Sequence, residues 1–597
     1  MQKKKLSAGK VGCLVIVILF LAGLIGIYRM VTAKRELPES FALVLRLSGE
    51  LGETADPEPP LPFLEDRRPL SLQDLIFLLE DAGKDERVSR VLLDIDGIRY
   101  ASAQIRQLQD AIRRTSEAGT PVVGFVRGGG DPNLWLASAC DTVIAERGNQ
   151  FLLDGLRAEM LFYTGTLEKI GVSFQAAQWK EWKSAIESYT RESASPEYRE
   201  QIGTILDGIY EAYVGYVSKR RRIDPERFES IIDDTTVLSD EMAKRFRLVD
   251  RIAGYWEYTE ELKRELAPEG EEKSADERLV SGKEYMQAVA WPYEPATKDG
   301  IAVITVSGLI VRSAGDVPGA TAEPGSDERS LRDALDLALD DESVKAIVLR
   351  IDSPGGAALA SANMLQMLDS ANVEKPIVAS MSSMAASGGY MVALAADSIF
   401  ADPLTVTGSI GAYALKPNIQ GLQEKIGLKR EVVTRGRNAD AFTFFKPLDE
   451  DGFAKFMEAT GRVYDDFINK VAEHRDMTPE EVEAVAGGRI WSGRDAVTAG
   501  LVDRTGGLRE AVASAQRLAG IDSSVAPTLK FYPGRKGMME YILESGVFTP
   551  NTLFGGKLPE SRIASRSLET IDLLMRLEQQ PGGMYRMMML PYDLRVE

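Results

Sequence analysis

The chain of 597 residues is one segment written twice, and that duplication limits its fold more than any other feature. Leu167-Glu168-Lys169-Ile170-Gly171 returns as Gln423-Glu424-Lys425-Ile426-Gly427, 256 positions later. The same shift, without a gap, carries Asp85-Glu86 onto Asp341-Glu342 and Asp94-Ile95-Asp96 onto Arg350-Ile351-Asp352. It also carries Ala139-Cys140-Asp141 onto Ala395-Ala396-Asp397. A chain of this length exceeds one ordinary core, and the repeat marks where it divides. The expected repeats span 37–267 and 300–530, with a polar connection over 268–299 and an extension over 531–597 that has no repeat partner. Against this background two positions part company. Ser409, inside Thr407-Gly408-Ser409-Ile410-Gly411, faces Leu153 in the first copy, and Lys183, inside Trp182-Lys183-Ser184-Ala185, faces Ala439 in the second. A serine in one copy and a lysine in the other can complete one catalytic dyad from two incomplete sites.

Within each copy, hydrophobic periodicity predicts alternating strands and helices. Apolar runs at Ala42 to Leu47 and Ile301 to Val306 read as strands, followed by amphipathic helices at Ser71 to Asp81 and Ser330 to Asp340. Buried strands follow at Val91 to Ile95 and Ala346 to Ile351, and others begin at Pro121 and Pro376. Helices are expected at Asn133 to Cys140 and Ser387 to Ala396. This order implies βαβ units and an α/β fold with a largely parallel sheet. A long helix closes each half. The first opens on Ser195-Pro196-Glu197, a cap with proline in the first turn, and its apolar stripe reads as packing. Near the end of the chain, Met587-Met588-Met589-Leu590 reads either as a terminal strand or as an exposed apolar patch.

Composition narrows the function classes. A net charge of −19 offers no basic face for nucleic acid, and the short run Lys219 to Arg222 sits where cations complement a helix end. Residues 11–28 carry no charge and are long enough for a tilted membrane helix. Lys3, Lys4, Lys5 and Lys10 precede them, which puts residues 1–10 in the cytoplasm and the bulk of the chain outside it. A cleaved signal peptide is the rival reading, but no clean small-x-small site follows Tyr28. Cys13 and Cys140 make no disulfide framework, and His474 is the only histidine, so any site built on several histidines is excluded and no metal site or cofactor is expected. His474 itself reads as a helix-end or surface residue.

The chemistry-bearing residues gather in the second copy. Asp352-Ser353-Pro354-Gly355-Gly356 ends a strand, the place where α/β proteins put their sites. Its glycines suit either an oxyanion hole or a plain strand-to-helix turn. The first copy has Asp96-Gly97-Ile98-Arg99 there, so the glycine pair is missing where the serine is missing. Ser409 needs a base, and with a single histidine in the chain a lysine is the natural one. A free lysine has a pKa of about 10.4, so the base must be desolvated towards ~7–8 to serve. Lys183, among Trp179, Trp182, Ala185 and Ile186, is the candidate, against a plain surface lysine and against nearby Lys180. Ser387, in the small-residue run Met381 to Tyr390, reads as a cap on the following helix, with a nucleophile role as the other possibility.

Four motifs carry a resemblance: Asp352-Ser-Pro-Gly-Gly356, Met384-Ala-Ala-Ser-Gly-Gly-Tyr390, Leu404-Thr-Val-Thr-Gly-Ser-Ile-Gly411 and Trp182-Lys-Ser-Ala185. Together they make the chain similar to the bacterial signal peptide peptidase A family in its long tandem form. The resemblance implies a tandem Clp-protease/crotonase-like fold, and a serine endopeptidase held in the bacterial inner membrane that cuts apolar peptides such as released signal peptides. It further implies Ser409 as nucleophile, Lys183 as general base, N–H groups of Gly355 or Gly356 and of Ile410 as the oxyanion hole, and assembly as a homotetramer. The competing readings are a crotonase-like acyl-CoA enzyme and a catalytically silent membrane scaffold.

Overall fold

In the computed structural model, the described residues are 37–53, 70–267, 277–289, 299–313, 326–523, 527–532 and 585–589. The expected cytoplasmic tail (1–10) and membrane anchor (11–28) lie outside them. Among the described residues no helix is long and apolar enough to cross a membrane.

The first repeat builds strands β1 (Phe41–Gly49), β2 (Val88–Ile98), β3 (Val122–Gly130) and β4 (Thr142–Glu146), paired in parallel in that order. A short strand, Leu279–Ser281, adds in parallel to the other side of β1. The second repeat lays out the same pattern with β7 (Gly300–Ile310), β8 (Val344–Ala357), β9 (Ile377–Ala386) and β10 (Ser398–Ala401). Strand Thr528–Tyr532 stands beside β7 as Leu279–Ser281 stands beside β1. Two expected boundaries therefore move. Residues 279–288 of the anticipated connection join the first repeat as a strand and a helix, because Leu279 and Val280 extend the sheet and Ser281 caps Gly282–Ala288. The second repeat runs on to Tyr532.

The central strands are buried on both faces, as their continuous apolar runs require. Helix α1 (Leu72–Ala82) starts at a complete capping box on Ser71 and Asp74, and buries Leu72, Leu75, Leu78 and Leu79. The first repeat's core also takes in Leu404, Val406 and Ile490 of the second, so the halves share apolar packing. At its centre, Arg350 on β8 is buried with Glu53 from the first repeat at 2.9 Å, and it also reaches Ser380, Ser382 and Gln107.

One strand leaves its own repeat. β5 (Ser173–Trp179) pairs antiparallel with β12 (Ala412–Asn418) of the second, in an unbroken register from Ala412 opposite Trp179 to Asn418 opposite Ser173. The segment that revealed the duplication lies at the same joint. Leu422 N–H donates to the Gly171 carbonyl at 2.8 Å, and a Cβ on Gly171 would stand 2.3 Å from the Gly421 backbone, so only glycine lets the copies touch there.

Candidate active site

The β5–β12 register decides what meets what. Trp179 is opposite Ala412, so the chain four residues past one and three residues before the other converges. Lys183 and Ser409 occupy those places. Lys183 Nζ lies 2.8 Å from Ser409 Oγ, 2.8 Å from the Ser409 carbonyl and 2.9 Å from Ser387 Oγ. Room for the lysine stem comes from two glycines. A Cβ on Gly411 would stand 3.0 Å from Lys183 Cδ, and one on Gly488 would stand 2.6 Å from Lys183 Cα. Burial alone pushes the Lys183 ammonium well below its ordinary value, because no carboxylate compensates it. Lys180, by contrast, is paired with Glu483 outside this pocket, and that carboxylate raises its pKa.

Ser387 stands where β9 turns into the short helix Gly388–Ala393. Its φ of 56° and ψ of −115° are not the extended conformation of a cap, and its side chain makes no capping bond. The cap reading is therefore corrected: the hydroxyl is turned to the lysine. The turn is held by Ser387 N–H donating to the Gly408 carbonyl at 2.8 Å. A side chain at the next position would force neighbours to move, since a Cβ on Gly388 would stand 2.3 Å from Ser361 Oγ and 3.2 Å from Gly356 N. Ser409 is also left-handed, at φ 52°, with its N–H on the Arg489 carbonyl at 2.7 Å.

The remaining expected residues fall around these groups. Gly355, at φ 94°, gives its N–H to Ser353 Oγ at 3.1 Å, while Gly356 runs beside the Ser387–Gly388 step. Ile410 is fully buried, and its carbonyl accepts from Gly488 N–H at 2.8 Å. His474 lies away at the end of Glu450–His474, bonded to Asp369, whose carboxylate raises its pKa. Cys140 is a buried free thiol. Among the described residues no group of carboxylates, histidines or cysteines could hold a metal ion.

Sequence reasoning put the cap role of Ser387 ahead of the nucleophile role, yet a further signal was there: the shift of 256 puts it opposite Asp131, so it too differs between the copies. As an arrangement, a desolvated amine between two serine hydroxyls, with glycine N–H groups alongside, is equipped for acyl transfer.

Comparison with known proteins points the same way. The profile of peptidase family S49 matches twice, at residues 114–268 and 370–522. The chain is 33% identical to the chloroplastic serine protease SPPA of Arabidopsis thaliana over 77% of its own length and 67% of that protein's. It is 30% identical to protease 4 of Salmonella typhi, covering 80% and 76% respectively. For protease 4 of Haemophilus influenzae the identity is 29%, over 80% and 79%.

Proposed function

Taking as premise that the chain belongs to peptidase family S49 and is a serine protease, we propose that it is a membrane-anchored endopeptidase that cuts apolar peptides, spent signal peptides among them, as a homotetramer of Clp-protease/crotonase-like repeats. Its dyad joins Lys183 of the first repeat to a serine of the second. The observation that carries this is the meeting of Lys183 Nζ with two serine hydroxyls across the repeat boundary.

Lys183 Nζ is within hydrogen-bond reach of the Ser409 carbonyl, Ser409 Oγ and Ser387 Oγ, so as a neutral amine it can donate two N–H groups and accept from one hydroxyl. We give the accepting contact, and with it the nucleophile's role, to Ser387 and a holding role to Ser409. The reason is that Ser387 sits on a strained strand-to-helix turn, the setting in which the N–H of the next residue can serve as an oxyanion donor. In the reaction Lys183 takes the Ser387 proton as Oγ adds to the scissile carbonyl. Gly388 N–H and Gly356 N–H then stabilise the oxyanion. The lysine ammonium next passes its proton to the leaving amine, which breaks the C–N bond and leaves an acyl-serine. A water, deprotonated by the same lysine, releases the acid. A second reading exchanges the serines, with Ser409 as nucleophile and Ile410 N–H beside it. It is favoured by the equally short contact of Ser409 with the lysine.

A fluorophosphonate probe followed by peptide mapping separates the readings. The probe should be found on Ser387, and Ser387→Ala should lose both labelling and turnover, by about 10³-fold or more. Ser409→Ala should keep labelling at Ser387 with a slower rate. Phosphonylated Ser409 in the unaltered protein would reverse the assignment, and labelling of neither serine would remove the dyad.

A further inference from the structure

β8 and β12, two strands that border the candidate site, do not pair with each other. One strand, β14 (Tyr585–Met589), lies between them. It is antiparallel to both. Met589, Met588 and Met587 stand opposite Gly355, Gly356 and Ala357 on one side, and Met587, Arg586 and Tyr585 stand opposite Tyr413, Ala414 and Leu415 on the other. The gap is thus one strand wide, about 9–10 Å between its walls. Without an occupant, both walls would present unpaired backbone N–H and C=O groups.

This position is not a neutral place for a strand. Gly356, opposite Met588, runs against the Ser387–Gly388 turn, and β12 begins three residues after Ser409. A main chain lying there runs along Gly356, which borders the Ser387–Gly388 turn. The reacting groups are shut in: Lys183, Ser387 and Ser409 are each no more than 1% exposed. A peptide carbonyl cannot approach Ser387 Oγ while that state persists. The parallel body of the sheet does not depend on β14, because β7, β8 and β9 pair along Ile301 to Ile351 without it. Among the described residues, the segment pairs with the site-lining end of β8 and the site-proximal end of β12.

Resting on the peptidase reading above, we propose that Tyr585–Met589 is a built-in occupant of the substrate-strand groove, and that an extended peptide must displace it to be cut. The substrate then adds as an antiparallel strand to both β8 and β12, with the residue opposite Gly356 next to the reacting serine. Recognition is through the main chain, as in strand addition to other sheet edges. The occupant acts as an intramolecular competitor: apparent affinity for substrate falls by the fraction of molecules whose groove is empty.

Two altered chains test this. Met587→Pro with Met588→Pro removes backbone donors from β14 within the full chain, and a second chain stops at residue 582. With a short fluorogenic apolar peptide, both should show KM lowered about five-fold or more with kcat little changed. Independently of turnover, a fluorescent peptide of the sequence 584–590 is titrated in the Ser387→Ala background. It should bind the chain ending at 582 at least five-fold more tightly than the chain that keeps its own segment. Unchanged KM and equal peptide affinity overturn the proposal while leaving the peptidase reading intact. A fall in kcat/KM for both altered chains also overturns it, since β14 would then be a supporting strand. If no chain cleaves or takes up the fluorophosphonate, the peptidase reading fails, and the peptide titration alone still decides the occupancy of the groove.

Discussion

Where the second repeat turns from strand to helix with Ser387, the first repeat makes the same turn with Asp131. The two residues have opposite fates. Asp131 is buried against the N–H groups of Asp154 and Gly155 at 3.2 and 3.3 Å, and burial pushes its carboxyl up to about 6. Ser387 instead faces a lysine. At the next differing pair, Leu153 is packed into the first core while Ser409 grips the same lysine. The lysine's own counterpart, Ala439, lies exposed in an irregular loop. Each repeat keeps the scaffold, and the chemistry is divided between them. On the proposed reading neither copy holds both the base and its serine, and the candidate active site is the contact between repeats.

The largest effect that would break this comparison is on the base. Lys183→Ala should lower kcat/KM by about 10³-fold or more, and Lys180→Ala should leave most of it, since Lys180 is occupied by Glu483. The reverse ranking would move the base to Lys180. For the unaltered protein, kcat/KM should rise with pH through the apparent pKa of Lys183, which burial holds below the ordinary lysine value. A flat profile would count against a lysine base. The same shift has a stability consequence. A folded pKa below the unfolded one means the unfolded chain binds the extra proton, so native stability rises with pH up to the unfolded value of about 10.4. Lys183→Met should therefore melt higher than the parent at neutral pH, and the gap should close as pH approaches that value.

Much of this was legible in the chain itself. Continuous apolar runs and period-3.6 patterns foretold the parallel strands and their helices, and the constant shift foretold that a lysine and a serine would come from different copies. Lys183 and Ser409 do meet, at 2.8 Å. What escaped was set by backbone geometry and not by residue type. A serine before Gly-Gly-Tyr reads as a helix cap, and nothing in its identity announces a φ of 56° that swings its hydroxyl to the lysine. Leu279–Ser281 was too short and too close to a charged stretch to read as a strand. Pairing of Tyr585–Met589 with β8 and β12 runs through main-chain bonds between distant segments, which leave no periodic signature.

A middle-sized effect concerns how the halves are registered. At equivalent places the first repeat has Asp94, paired with half-exposed Arg127 at 2.6 Å, and the second has Arg350, enclosed with Glu53. The second pair joins the repeats, and it is satisfied further by Ser380, Ser382, Gln107 and Gln104. Removing one partner leaves a buried charge, so Arg350→Met should destabilise by ~3–5 kcal/mol. The double change Arg350→Met with Glu53→Gln should recover part of that. Asp94→Asn, whose partner Arg127 reaches water, should lose less. Equal losses from the two sites, read as denaturation midpoints, would mean that the Arg350 cluster is not a special joint.

The smallest effect tests whether the long helices of the two copies serve equally. Both are capped: Ser195 accepts from Tyr198 N–H at 3.1 Å before Pro196–Arg221, and Asp449 accepts from Gly452 N–H at 2.8 Å before Glu450–His474. A lost cap alone is worth ~1 kcal/mol, which both Ser195→Ala and Asp449→Ala should show. The first cap has a further task. Ser195 Oγ donates to buried Glu187 at 2.7 Å, and Glu187 begins the helical turn that follows Ser184–Ile186, immediately after Lys183. Loosening it frees the segment that delivers the lysine. Ser195→Ala should therefore lower kcat several-fold with KM little changed, whereas Asp449→Ala should lower stability alone. If both variants lose stability equally and neither loses rate, the two helices are interchangeable supports and the lysine is held by Gly411 and Gly488 without help from the cap.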